Sequence, residues 1–326
     1  MTSSMSHFLI THGTTEGFAT VQVDTGPLHL SLAPELGGKI NSLRDLRSGR
    51  EWLWRNPRLP YRPAAAESAY VAVADTGGWD ECFPSVAPCQ YPSAPWAGRA
   101  IPDHGELWGQ TPALALAEAG GQASLETSWP GVALPYRFER RAVLTTGSAN
   151  VRAEYRVANQ GDAPLHFIWS IHPLLAIEPG MQLQLPPEAR YHRWSSVPGD
   201  AVAESGLSFP LTLAGHDLAA LPDASAGVAL KLWSDPLAAG QGWATLRARD
   251  GELRMRWDPA LLPQVGFWMN LGAWAGDGGA PYYNLGLEPC IGAQDSLADA
   301  VTRHNLFATL LPGQARAWWL ELELSQ

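Results

Sequence analysis

Lysine is almost missing from this chain. Of 326 residues only Lys39 and Lys231 carry an ammonium group, and acids outnumber bases 32 to 22, for a formal net charge of −10. No basic cluster occurs, which argues against a nucleic-acid partner and against an anionic membrane surface. A highly anionic substrate fits poorly too, unless a single arginine is placed for it. Cysteine is scarce: Cys82, Cys89 and Cys290 are an odd number in a long chain. That is no disulfide framework, and it suits a reducing compartment. The opening MTSSMSHFLITHG lacks the basic start and apolar run of a secretory leader. No stretch approaches the ~20 apolar residues of a membrane helix. The expectation is a soluble cytoplasmic protein. G-x-S-x-G, H-E-x-x-H, Walker A and a strand-borne G-x-G-x-x-G are all absent. Their absence removes the common serine-hydrolase, zincin, nucleotide and dinucleotide readings.

What is abundant is tryptophan, fifteen against eight phenylalanines. An indole combines a large apolar face with a donor that needs a partner, so it suits a core or a platform for the C–H face of a sugar. Period-two alternation runs from end to end. Val21 and Val23, then Leu28, Leu30 and Leu32, alternate with polar neighbours across a turn at Thr25-Gly26-Pro27. The stretches 151–159, 165–173, 227–236, 252–259, 265–274 and 315–324 behave alike. Strands parted by Gly, Pro, Asn and Asp turns predict an all-β fold, a sandwich or a barrel. No linker-like break or internal repeat occurs, so residues 1–326 read as one large domain. Two long segments, 59–102 and 178–222, resist a strand reading. Such segments are commonly functional loops, and the first is a candidate wall of a binding site.

Four places carry candidate chemistry. In YYNLGLEPCIGAQDSL, residues 282–297, Tyr282, Asn284, Gly286 and Glu288 share one strand face, with Pro289 predicted to end the strand. In GGWDECFPS, Asp80 and Glu81 lie beside Trp79. In IPDHGELWGQ, His104 and Glu106 are predicted to share a strand face that Trp108 continues. In LHFIWSIHP, His166, Ser170 and His172 share another. Trp268 and Asn270 share a face with Gly266, as a cleft floor would. A metal held by His104, Glu106, His166 and His172 has suitable ligand types but no diagnostic spacing. The expectation is therefore that no metal or other cofactor is required.

Taken in order, Gly37-Gly38 before KINSL, then PDHGELW, then a strand ending in IHP, then one ending in LGLEP, the chain resembles the aldose 1-epimerase (galactose mutarotase-like) family. The resemblance runs from about Val21 to Trp319. It implies a large antiparallel β-sandwich, the supersandwich of that family, with a broad sugar cleft and no cofactor. It also implies that His104, His172 and Glu288 meet at the anomeric carbon of a pyranose. Glu288 would be the base, His172 the acid, and His104 a stabiliser of the open form. Asp80, Glu81, Trp108, Trp268 and Asn270 are the candidate sugar contacts. The departures are His104-Gly105-Glu106 where the family has His-Gly-Gly, and His172-Pro173-Leu174-Leu175 where it has a Tyr-Phe-Asn run. The family's early-loop arginine is replaced by Trp79-Asp80-Glu81. The resemblance therefore does not single out galactose or glucose. Two other readings use the same residues: a sugar-binding protein without catalysis, and a glycoside hydrolase pairing Glu288 with Asp80, Glu81 or Glu106. The expected partner is a small sugar, and the expected state a monomer or homodimer.

Overall fold

A computed structural model of the chain describes residues 9–63, 68–197, 205–276 and 278–326. Residues 1–8 of the opening and short parts of both long segments lie outside the described residues. The alternating stretches pair into two large antiparallel sheets. One has ten strands, ordered Leu9–Thr15, Phe18–Asp24, Leu28–Ala33, Lys39–Asp45, Gly78–Cys82, Trp169–Ala176, Tyr283–Ile291, Gln264–Leu271, Val228–Ser234 and Tyr191–Val197. The other has eight, ordered Gln182–Gln184, Trp243–Ala248, Gly251–Trp257, Ala315–Ser325, Asn150–Asn159, Tyr136–Thr145, Gln122–Pro130 and Ala113–Ala119.

Their facing sides share one apolar core. Tyr155 and Trp318 from the eight-stranded sheet pack on Trp169 from the ten-stranded sheet, with ring centroids 4.8 and 5.0 Å apart. Alternation decides which residues enter: Val151, Ala153, Tyr155 and Val157 are buried, whereas Arg152, Glu154 and Arg156 lie on the outer side. The fold is the all-β sandwich that the periodicity predicts.

Two boundaries differ from the sequence reading. The stretch 165–173 is not one strand. It breaks at Ile168, and Leu165–Phe167 pairs with Ala308–Leu310 in a separate two-stranded sheet. His166 is thereby removed from the face that carries His172. The Glu288 strand also does not stop at Pro289 but continues to Ile291. Its ladder with the His172 strand skips from Ser170↔Cys290 to Leu174↔Gly286, the stretch that holds Pro173 and Pro289. A proline is tolerated where its missing N–H faces no acceptor.

Candidate active site

Register assembles the site. Asp80 pairs with His172, and Glu288 pairs with Gly266. The pairs Ser170↔Cys290 and Leu174↔Gly286 bracket His172 and Glu288, which puts them side by side on neighbouring strands. Side chains alternate along a strand, so Asp80 and Cys82 share their face with Ser170, His172, Gly286 and Glu288. Trp79, Glu81, Ile171 and Leu287 point the other way, into the core. This strand face is the polar face anticipated at Glu288.

His172 Nδ1 donates to Glu288 Oε1 at 2.9 Å. Glu288 is 2% exposed. Gly286 leaves room for that carboxylate, since a Cβ there would lie 2.8 Å from Glu288 Oε1. His104 does not come from a strand. It sits in a turn with φ 58°, followed by Gly105 at φ 76°. Its Nδ1 donates to Asp103 Oδ1 at 2.9 Å, and its ring lies 5.1 Å from that of His172. The three residues named from the sequence thus meet in one place, contributed by two strands and one loop.

The electrostatics favour an ion pair. Burial pushes the Glu288 carboxyl up, but the hydrogen bond and charge of His172, with Lys231 and His104 behind it, leave its pKa below the ordinary value. Burial pulls the His172 imidazole down. Glu288, Asp75 and Asp80 outweigh it, and its pKa ends above the ordinary value.

The other sequence candidates divide. Asp80 is on the site face, bonded by Lys39 Nζ and by Tyr70 Oη, the latter at 2.7 Å. Trp268 is half-buried on the same face, opposite Gly286 and edge-on to Trp274. Glu81 is not on that face. It lies in the core, where Trp79 Nε1, Trp169 Nε1, Tyr155 Oη and Arg140 Nη1 all donate to it. Burial pushes its pKa up, to about 7, against the pull of Arg140 and the other donors. Adjacent residues on a strand face opposite sides, so Asp80 and Glu81 could not both reach one cleft. Asn270 spends its amide on Trp274 O and on the N–H groups of Ala273 and Trp274. Trp108 donates to Asp103 O and packs edge-on to Tyr70, bracing the His104 loop. Glu106 shares no strand face with His104; it accepts from Val132 N, Ala133 N and Tyr136 Oη.

Several residues escaped the sequence reading. The long segment 59–102 does supply a wall: its short helix Tyr70–Val73 stacks Tyr70 on His104, centroids 4.0 Å apart. Asp75, 5% exposed, stands nearby and interacts most strongly with His172 and His104 among the charged groups. Lys39 holds Asp80, and Lys231 pairs with Asp295 at 2.6 Å while acting on Glu288. A signal existed for these last two: they are the only lysines in the chain, and both fall on predicted strands.

The fold has known counterparts. A "putative aldose 1-epimerase" from Klebsiella pneumoniae superposes with a TM-score of 0.73 over 98% of this chain and 83% of its own, at 14% identity. A galactose mutarotase-like protein from Clostridium acetobutylicum gives 0.68 over 98% and 99%, at 12% identity. An Escherichia coli K12 protein described as the Klebsiella one is gives 0.65 over 94% and 98%, at 18% identity. No family model matches the chain, and no curated protein does. At these identities the likeness is one of fold. No helix among the described residues is long and apolar enough to cross a membrane.

Proposed function

We propose that this chain is an aldose 1-epimerase, an isomerase that interconverts the α and β anomers of a pyranose. The observation that carries the reading is the Glu288–His172 pair at 2.9 Å with the His104 ring 5.1 Å from His172. Anomer exchange needs a proton to leave the C1 hydroxyl and another to reach the ring oxygen. Glu288 Oε1 is occupied by His172, so Oε2 is the oxygen left to take the C1 proton. His172 Nε2, the ring nitrogen not held by Glu288, donates to the ring oxygen. The ring opens, the aldehyde rotates, and closure runs the two transfers backwards. His104, oriented by Asp103, hydrogen-bonds the opening oxygen and stabilises the open form. Asp80 and Trp268 are the proposed sugar contacts on the same face. Trp108 supports the loop, and Glu81 and Asn270 act through structure.

In this proposal one domain of residues 1–326, a monomer or homodimer in the cytoplasm, acts on a free sugar. Nucleic acid, membrane and cofactor have no part in it. The hydrolase reading loses two of its three second acids: Glu81 faces the core and Glu106 is held by three donors. Asp80, bonded by Lys39 and Tyr70, is arranged as an acceptor rather than as a proton donor. The test is NMR saturation transfer between anomer signals across a panel of aldoses. Exchange that scales with protein concentration for at least one sugar is expected. No catalysed exchange with any of them would contradict the proposal.

A further inference from the structure

The sugar chemistry makes no use of the thiol on the site face. Cys82 is two residues past Asp80 on the same strand and is 1% exposed. Its Sγ, one ring nitrogen of His104 and one of His172 all lie within 4.8 Å of one another. Each imidazole has its Nδ1 held by a carboxylate, His172 by Glu288 and His104 by Asp103, both at 2.9 Å. A ring held in this way offers Nε2 as its free nitrogen, and a carboxylate behind the imidazole is the usual outer shell of a histidine on zinc. A further buried acid stands nearby: Asp75 Oδ1 has no hydrogen-bond partner.

We propose that Cys82, His104 and His172 form a zinc site, and that zinc bound there silences the sugar site by occupying both imidazoles. The binding half stands on the three ligands alone. The inhibitory half rests on the epimerase reading. Thiolate and imidazole are the ligands zinc prefers, and three protein ligands leave a fourth position for water. With Zn–S of about 2.3 Å and Zn–N of about 2.0–2.1 Å, tetrahedral ligand atoms lie about 3.3–3.6 Å apart. Side-chain movements of about 1 Å would therefore close the site around the ion. The metal-free chain holds Cys82 as a thiol, because burial and then the charge of Glu288 push its pKa well above the ordinary value. Binding releases the Cys82 proton and the proton on His172 Nε2, both to solvent, while Nδ1 keeps its proton and its bond to Glu288. The set differs from the one suggested by the sequence, because Glu106 and His166 lie elsewhere.

Cobalt is the probe. The full chain is stripped with EDTA and titrated with Co²⁺ while absorption is followed. One Co²⁺ per chain is expected, with a thiolate-to-cobalt charge-transfer band and the visible bands of four-coordination. Cys82→Ser should lose the charge-transfer band. Asp103→Asn, which removes the carboxylate behind His104, should weaken cobalt binding by about 10–100-fold. No such band in the wild type, or a band that persists in Cys82→Ser, would overturn the site. If Cys82→Ser does not fold, unchanged affinity in Asp103→Asn overturns it. Zinc should displace the cobalt and, at one equivalent, stop anomer exchange measured against the same chain in EDTA. Full-rate exchange with zinc bound would overturn the inhibitory half. A metal-free chain that exchanges no aldose but still shows the cobalt band would sink the epimerase reading and the inhibition with it, leaving the metal site standing.

Discussion

Burial opposes charge on both Glu288 and His172, yet each ends in its charged form because the other lies 2.9 Å away. That balance predicts a pH profile. The groups acting on the pair are Asp75, Asp80, His104 and Lys231, with Cys82 Sγ also close to both histidines. His172 is the proposed acid, so anomer exchange falls as pH rises through its pKa, which lies above the ordinary imidazole value of 6.5. Glu288 is the proposed base, so exchange also falls as pH drops through its pKa, which lies below the ordinary carboxyl value of 4.5. Exchange rates measured in a chelating buffer should form a plateau wider than that interval on both sides. A single descending limb centred near pH 4.5, or activity confined to alkaline pH, would show that the pair does not hold this state.

At the scale of elements, the Glu288 strand was legible in the sequence because its two faces differ in kind. Leu285 and Leu287 are wholly buried in the core, and Asn284, Gly286 and Glu288 face the site. The Asp80 strand was not, because Trp79, Asp80, Glu81 and Cys82 are all buried, and alternation then has no contrast to reveal. The His104 loop was misread as a strand. Its sign was Gly105, whose φ of 76° closes a turn. A Cβ on Gly105 would lie 2.0 Å from Phe83 O, at the end of the Asp80 strand. Gly105→Ala should therefore cost about 1–3 kcal/mol for the left-handed backbone alone, with the clash in addition. It should also move His104 away from His172 and lower the rate of anomer exchange. Thermal unfolding and exchange measured together check this; an unshifted Tm would refute the packing described.

Over the whole molecule, the two sheets are joined beneath the site by a buried ion pair. Glu81 belongs to the ten-stranded sheet, and Arg140 and Tyr155 to the eight-stranded one, with Glu81 and Arg140 3.2 Å apart. Arg140 is 2% exposed and donates also to Gly38 O, on the turn before the Lys39 strand. At pH 9, above the Glu81 pKa of about 7, Glu81→Gln leaves that guanidinium buried without its counter-charge, which should cost about 3–5 kcal/mol. The urea midpoint should fall while the affinity for sugar at the surviving folded sites stays the same. A variant as stable as the wild type but weaker for sugar would return Glu81 to the cleft. Fold class followed from periodicity because every strand of a sandwich must show one face to the core. The site depends on contacts between distant segments: Tyr70, Asp75, Lys39 and Lys231 reach it through pairings that no local pattern records.

The central claim is that Glu288 takes the C1 proton, and Glu288→Gln tests it most directly. The amide keeps the shape of the carboxylate and one acceptor oxygen but cannot act as the base. With the sugar identified by the aldose panel, saturation transfer between its anomer signals should show the catalysed rate reduced by roughly 10²–10⁴, with affinity little changed. If Glu288→Gln exchanges the anomers at the wild-type rate, Glu288 is structural and the mechanism is wrong.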